Sequence, residues 1–300
     1  MGDTPQPPGI ETWRELHAEL AARVPDVEAR WLVEEVSGLD RSRWRETATA
    51  AGRTRLTALV ERRLAGEPLQ YVLGRWSFRG LDLLIDRRVL IPRPETEVVA
   101  EVAIAEAREL HLPPRSRASG GPFVVADMGT GSGALALALA AELPEAEVWA
   151  TDRSAAALDV ARANLAAIGP SAASRVHFAE GMWYEALPTG LRGRLRVIVS
   201  NPPYVTEAAF ADLPAEVRDH EPTTALVAGP TGRESLEELV AGGLDWLEPG
   251  GALVLELAPD QAAPMRAAAG AAGYDAVAVH QDLTGRDRVL AARQPGSSRP

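Results

Sequence analysis

Between residues 123 and 291, short apolar and β-branched runs alternate with segments of helical period, and that alternation leaves few architectures open. Phe123–Asp127, Glu147–Asp152, Arg175–Phe178, Val197–Val199 and Ala252–Leu257 read as strands, with two more near Ala276–Val279 and Arg288–Ala291. Ala134–Leu143, Ser154–Ile168, a stretch from about Glu234 to Leu247 and one after Asp260 read as helices. Strands with apolar residues at consecutive positions are buried on both faces, as in a parallel sheet covered by helices. The expected fold is therefore α/β, a doubly wound, mostly parallel sheet, with ligands held beyond the carboxyl ends of the strands where the winding direction reverses.

Three strand ends carry residues suited to a ligand. The first runs into Asp127-Met-Gly-Thr-Gly-Ser-Gly133, where Gly129, Gly131 and Gly133, with Thr130 and Ser132 between them, allow a tight turn and close approach of the backbone. By itself this turn fits a dinucleotide fingerprint, a nucleoside-binding turn or a simple strand–helix closure. Its spacing, tighter than G-x-G-x-x-G, and the acid Asp152 ending the next strand favour a nucleoside without pyrophosphate, Asp152 accepting from the ribose hydroxyls. An aspartate there also suits a helix cap. The run Val197–Val199 leads into Asn201-Pro-Pro-Tyr204, in which Pro202 and Pro203 cannot continue a strand and hold the carbonyls around them stiffly. The result is a ledge fit for a planar group bearing an NH2: the Asn201 oxygen and the Pro202 carbonyl accept its hydrogens, and Tyr204 packs on its face. A strand that simply stops at a Pro-Pro turn explains the tetrapeptide equally well.

The chain before this alternation reads differently. Thr12 with Glu15 forms a capping-box pattern ahead of Trp13, Leu16 and Leu20; a second helical run goes from Asp26 through Val36 to Gly38, and a third from about Arg53 to Leu64 with Gly66 after it. Trp13, Trp31 and Trp44 are expected as core or helix-contact residues of this small bundle, a partner-binding face being the other reading. From Arg75 the period changes, and Trp76–Phe78 and Leu81–Ile85 flank Arg79-Gly80 as a hairpin would. Ile91-Pro-Arg-Pro-Glu-Thr-Glu97 then opens a helix with acids in its first turn, a helix expected to reach about Leu110. Pro113–Pro122 reads as a flexible connection. The expected organisation is a helical domain at 10–74, a hairpin linker at 75–92 and an α/β domain at 93–293.

The 300 residues contain no cysteine, which excludes disulfides, thiolate metal sites and a cysteine nucleophile. Met1–Pro8 lacks an apolar core such as a signal peptide needs and no stretch approaches a membrane span, so a cytoplasmic protein without membrane contact is expected. All 31 basic residues are arginine, and the net charge of −11 falls in the second part of the chain: residues 1–90 hold 14 Arg against 14 acids, residues 91–300 hold 17 against 28. A domain this acidic is a poor binder of phosphate backbones, so no direct nucleic-acid binding is expected.

The glycine turn, Ala150-Thr-Asp152 and Asn201-Pro-Pro-Tyr204 together resemble the class I S-adenosylmethionine-dependent methyltransferases. With Glu67-Pro-Leu-Gln-Tyr71, Ile91–Glu97 and His220-Glu-Pro-Thr-Thr-Ala-Leu226 the similarity narrows to the HemK/PrmC family, which methylates a glutamine side-chain nitrogen in bacterial peptide-chain release factors, at their GGQ motif; it covers about residues 10–293. The resemblance implies S-adenosylmethionine as cofactor, S-adenosylhomocysteine as product and no metal. It puts Gly129, Thr130, Gly131, Ser132 and Gly133 beside the methionine portion, Asp152 on the ribose, and Trp183 near the adenine, where a core tryptophan is the other reading. It gives Asn201, Pro202, Pro203 and Tyr204 to the substrate amide, with Asn201, Pro202 and Tyr204 catalytic, Asn201 also beside the cofactor, and makes the helical domain the substrate-recognition part. Relatives often carry an acid just before the aromatic; here Gly181-Met182 stands there, with Glu180 as a substitute.

A sulfonium methyl is already a strong electrophile, whereas an amide nitrogen is a poor nucleophile because its lone pair is delocalised. Orientation and electrostatics must therefore do most of the catalysis, and no general base is assigned. Two rivals share these motifs: a ribosomal-protein glutamine methyltransferase, and an adenine-N6 methyltransferase of DNA or RNA, which would need a flipped base and a basic channel. A cofactor-binding protein without activity is the third.

Overall fold

The computed structural model describes residues 11–109 and 123–296, and the chain divides into two compact units, Met1–Gly74 and Arg75–Pro300. The anticipated connection at Pro113–Pro122 and the end of the helix at Leu110 lie outside the described residues.

In the smaller unit, helix α1 (Trp13–Leu20) begins at the anticipated capping box: Thr12 Oγ1 accepts from Glu15 N at 3.3 Å and the Glu15 carboxylate accepts from Thr12 N at 2.8 Å. Helix α2 (Asp26–Ser37) ends on Gly38, whose φ of 66° closes the last turn. Helix α3 (Ala50–Leu64) starts three residues earlier than the apolar periodicity suggests, because Thr49 caps it by accepting from Gly52 N and the residues Ala50, Ala51 and Gly52 carry no large side chain to mark it. Gly52 leaves room for an indole, since a methyl group there would lie 2.6 Å from the Trp13 ring. Trp13 and Trp44 are buried in the core of the unit with Leu32, Val33 and Leu56, while Trp31 is partly buried against that core. A fourth helix, α4 (Leu69–Leu73), was not legible: five residues are too few for a helical period. The charged residue of Glu67-Pro-Leu-Gln-Tyr71 has a structural partner. Glu67 takes both Nε and Nη2 of Arg62 at 2.8 Å, and Nη2 also donates to the Tyr71 carbonyl at 2.9 Å, fastening α4 to α3.

The larger unit opens with the hairpin β1 (Arg75–Phe78) and β2 (Leu81–Leu84), paired Phe78 to Leu81 across Arg79-Gly80. Both turn residues have positive φ, 46° and 76°, the conformation that matches the twist of a two-residue hairpin. Arg79 holds that conformation while its guanidinium grips Glu142 at 2.6 and 2.9 Å and its N–H donates to Glu97. Helix α5 (Pro94–Arg108) follows, with proline in its first position.

Strands β3 (Phe123–Met128), β4 (Ala146–Asp152), β5 (Val176–Glu180), β6 (Leu195–Ser200), β9 (Leu247–Glu256), β10 (Asp275–Gln281) and β11 (Asp287–Arg293) form one sheet in the order β10-β11-β9-β6-β3-β4-β5. The five strands from β9 to β5 are mutually parallel, and β11 pairs antiparallel with both β9 and β10. The connecting helices are α6 (Ala134–Glu142), α7 (Ala155–Ala163), α8 (Glu234–Gly243) and α9 (Ala262–Ala272). A separate pair, β7 (Val205–Thr206) and β8 (Val227–Gly229), lies in the segment between β6 and α8. The chain passes from β3 through β4 to the β5 edge and then returns to β6 on the opposite side of β3, so the winding reverses between β3 and β6, where the glycine turn and the Asn201 ledge emerge.

Two helices are shorter than the sequence suggests. The one expected to reach Leu247 stops at Gly243, and in its last turn the Leu239 and Val240 carbonyls accept from the hydroxyls of Tyr184 and Tyr274. Leu247 instead begins β9, five residues before Ala252, and Gly250-Gly251 is absorbed as an irregularity in register against β6. The helix expected through Ile168 gives way at Asn164 to a tighter 3₁₀ turn, where the Asn164 amide bonds the Leu84 backbone in both directions and donates to the Ser132 carbonyl at 2.9 Å.

Candidate functional site

Beyond the carboxyl ends of β3, β4, β5 and β6 lies a cavity of about 370 Å³. Its wall brings together Gly129, Thr130, Gly131, Ser132, Asp152, Trp183, Asn201 and Pro203. Gly133, Pro202 and Tyr204 are not part of that wall, and Glu180 is exposed outside it.

The turn after β3 is built on left-handed backbone: φ is 55° at Gly131 and 86° at Gly133, where a side chain would also press on Leu137 and Ala161. Asp127 anchors it from below. Its Oδ2 accepts from Thr130 Oγ1 at 2.6 Å and from Ala136 N at 3.0 Å, tying the turn to the first residues of α6. Burial pushes the Asp127 carboxyl up to about 7, against those two bonds. Asp152 closes the turn from the next strand: Oδ2 accepts from Gly131 N and Oδ1 from Ser154 N, both at 2.9 Å. A carboxylate offers about four acceptor positions, so two remain for a ligand bearing hydroxyl groups. The helix cap is Ser154, whose hydroxyl accepts from Ala157 N at 3.2 Å, and not Asp152, which holds the N–H of that cap residue.

Trp183 is a core residue on the cavity wall. It lines the cavity and also belongs to the buried cluster between sheet and helices, its ring 3.4 Å from where a methyl group on Gly129 would sit. Its φ of 42° is unusual for a tryptophan and stores strain of order 1–3 kcal/mol beside the cavity. Gly181 before it has φ of 153°, and a side chain there would lie 3.0 Å from Ala186, which explains the glycine in this segment.

At the ledge, Ser200 Oγ donates to the Met128 carbonyl at 2.6 Å and locks the end of β6 to the end of β3. Asn201 Nδ2 donates to Thr96 Oγ1 at 3.1 Å, and Thr96 Oγ1 donates to Glu256 Oε2 at 2.7 Å. Tyr204 turns its hydroxyl onto Glu256 Oε1 at 3.3 Å, and its carbonyl accepts from Gln261 Nε2 at 3.0 Å. Burial, and then the negative charge of Glu256, raise the Tyr204 phenol above its ordinary range. Thr96, Glu256 and Glu221 were missed by sequence reasoning. Glu256 had a signal, a lone carboxylate in the apolar run Ala252–Leu257. Glu221 accepts from Ile91 N at 3.2 Å and pairs with Arg93, binding the His220–Leu226 motif to the Ile91–Glu97 motif. Pro222 and Thr224 of the first and Pro92 and Thr96 of the second both reach the cavity wall.

Residues 11–74 match the family described as the PrmC N-terminal domain, and residues 115–216 the methyltransferase small domain. Among curated proteins, the release factor glutamine methyltransferase of Xylella fastidiosa strain 9a5c is 46% identical over 247 residues, covering 82% of this chain and 84% of that protein. The protein of the same name from Deinococcus radiodurans is 42% identical over 294 residues, 94% of this chain and 99% of that one. Among solved structures, the catalytic domain of hMettl16 in complex with the MAT2A 3′UTR hairpin 6 aligns with a TM-score of 0.54 at 15% identity, over 94% of this chain and 93% of that one, a likeness of fold. Among the described residues no helix is long and apolar enough to cross a membrane. With relatives this similar over almost their whole length, the chain belongs to the family of release factor glutamine methyltransferases.

Proposed function

We propose that this chain transfers a methyl group from S-adenosylmethionine to the side-chain amide nitrogen of a glutamine in peptide-chain release factors, within their GGQ motif. The observation that carries this reading is a single cavity that joins the glycine turn and Asp152 to the Asn201 ledge. The residues present suit the cofactor. Gly129–Ser132 offer close backbone, Asp152 keeps two acceptor positions for ribose hydroxyls, and Trp183 and Met182 give an apolar wall for a base. When bound, S-adenosylmethionine supplies an electrophilic methyl group on a sulfonium.

The rest is the work of the protein's own groups. Asn201 Oδ1, on the cavity wall, accepts one N–H of the glutamine amide, which holds the nitrogen still and turns its lone pair toward the methyl group, while the buried Pro202 stiffens the ledge behind it. Tyr204 braces the ledge from behind through Glu256. The proton released from nitrogen passes to water.

Incubation with methyl-labelled cofactor and, in parallel, a release factor, ribosomal proteins and nucleic acid tests the reading. Label is expected on the release-factor glutamine by peptide mass spectrometry, and label confined to ribosomal protein or nucleic acid refutes it. Residues 10–74 are assigned to recognising the protein substrate, which their even charge balance and separate helical core support. Their deletion is expected to weaken methylation of the intact release factor more than cofactor binding; equal loss of both would assign them a structural role.

A further inference from the structure

An asparagine serves as an acceptor only if its oxygen faces the substrate, and the two ends of the amide are nearly the same size. Turned over, Asn201 would present NH2 to the N–H bonds of a glutamine, donor against donor. Something must fix its sense. Thr96 comes from the first turn of α5 and Glu256 from the end of β9, and both are buried, at 4% and 1% exposure. Each Glu256 oxygen receives one hydroxyl, Oε2 from Thr96 and Oε1 from Tyr204. Thr96 has one hydrogen, and it is committed to Glu256. Toward Asn201, Thr96 Oγ1 can therefore only accept, and it accepts from Nδ2 at 3.1 Å.

We infer that Thr96 and Glu256 are positioning residues that fix the amide sense of Asn201, so that its oxygen faces the cavity. The inference rests on the proposed role of Asn201. Burial raises the Glu256 carboxyl to about 7 and Glu95 adds to the rise, while the Thr96 hydroxyl, the Arg288 charge and the Tyr204 hydroxyl hold it down. The direction of the chain also survives a proton on Oε1, because the Tyr204 oxygen can accept it.

Two variants separate this from general support of the fold. Thr96→Val keeps the shape and removes both bonds, and Glu256→Met keeps the length and frees the Thr96 hydrogen to turn toward the Asn201 oxygen. Each is expected to lower kcat about ten- to a hundredfold, the effect of one misdirected polar contact, while KM for the cofactor and its melting shift stay at wild-type values. In an Asn201→Ala background neither should cause further loss, because the residue they orient is gone. Thr96→Ser should recover most of the rate. A readout independent of activity is the side-chain amide ¹⁵N–¹H pair of Asn201, one proton of which is expected to be shifted and slow to exchange in wild type and to lose both properties in Thr96→Val. Wild-type kcat in Thr96→Val, a full additional loss on top of Asn201→Ala, or an amide pair unchanged by Thr96→Val would overturn the inference. Absence of label on release factors from the wild-type protein would instead count against the functional reading, and the amide signals judge the positioning role by themselves.

Discussion

Replacing Asn201 by alanine is expected to reduce methylation of a release-factor glutamine by about a hundred- to a thousandfold, the usual cost of losing one preorganised polar contact in a reaction that depends on orientation. The protein should remain folded. Asn201 is only partly buried, and among the described residues its one side-chain bond is the donation to Thr96, which keeps its own acceptor in Glu256. The melting temperature and the affinity for cofactor should therefore stay close to wild type, so that the loss appears in kcat. Asn201→Asp retains acceptor oxygens but removes the donor to Thr96 and adds charge near the buried Glu256, so activity between alanine and wild type is expected. Wild-type turnover by Asn201→Ala, with the methyl group still on the glutamine nitrogen, would sink the ledge mechanism.

What the sequence disclosed follows from which interactions are local. The parallel strands are buried on both faces, so their apolar runs stand out, and the reversal between β3 and β6 follows from the order in which those runs occur. The positions proposed for the ligands were also local: glycines with left-handed φ, an acid at a strand end and a Pro-Pro stop mark themselves within a few residues. Helix α4 escaped because it is shorter than two turns, and the early start of β9 because Gly250-Gly251 masks it. The groups behind the ledge were out of reach for a different reason. Thr96 looks like any first-turn threonine, and Glu256 lies 160 residues further along, so nothing in either neighbourhood predicts that they meet. Tyr204 shows the same limit: its place in the motif is plain, but the turn of its hydroxyl toward Glu256 is set by packing against β9.

Asp152 is expected to be the most sensitive single position for cofactor binding. Its two oxygens already accept from Gly131 N and Ser154 N, so the side chain shapes the glycine turn and holds Ser154, the cap of α7, while offering its remaining lone pairs to the ribose. Asp152→Ala removes all of these at once. Two hydroxyl contacts to a charged acceptor contribute about 1.5–3 kcal/mol each, so a loss of at least a hundredfold in affinity for S-adenosylhomocysteine, read by calorimetry, is the expected outcome. Asp152→Asn separates charge from shape. It is isosteric, but whichever way its amide lies, the NH2 confronts one of the two backbone N–H groups, and the turn must open to relieve that contact. Asparagine should therefore bind cofactor weakly, although it can still accept a ribose hydroxyl. Affinity near wild type in Asp152→Asn would show that the backbone contacts at Gly131 and Ser154 are dispensable; the same result in Asp152→Ala would remove Asp152 from the cofactor site altogether.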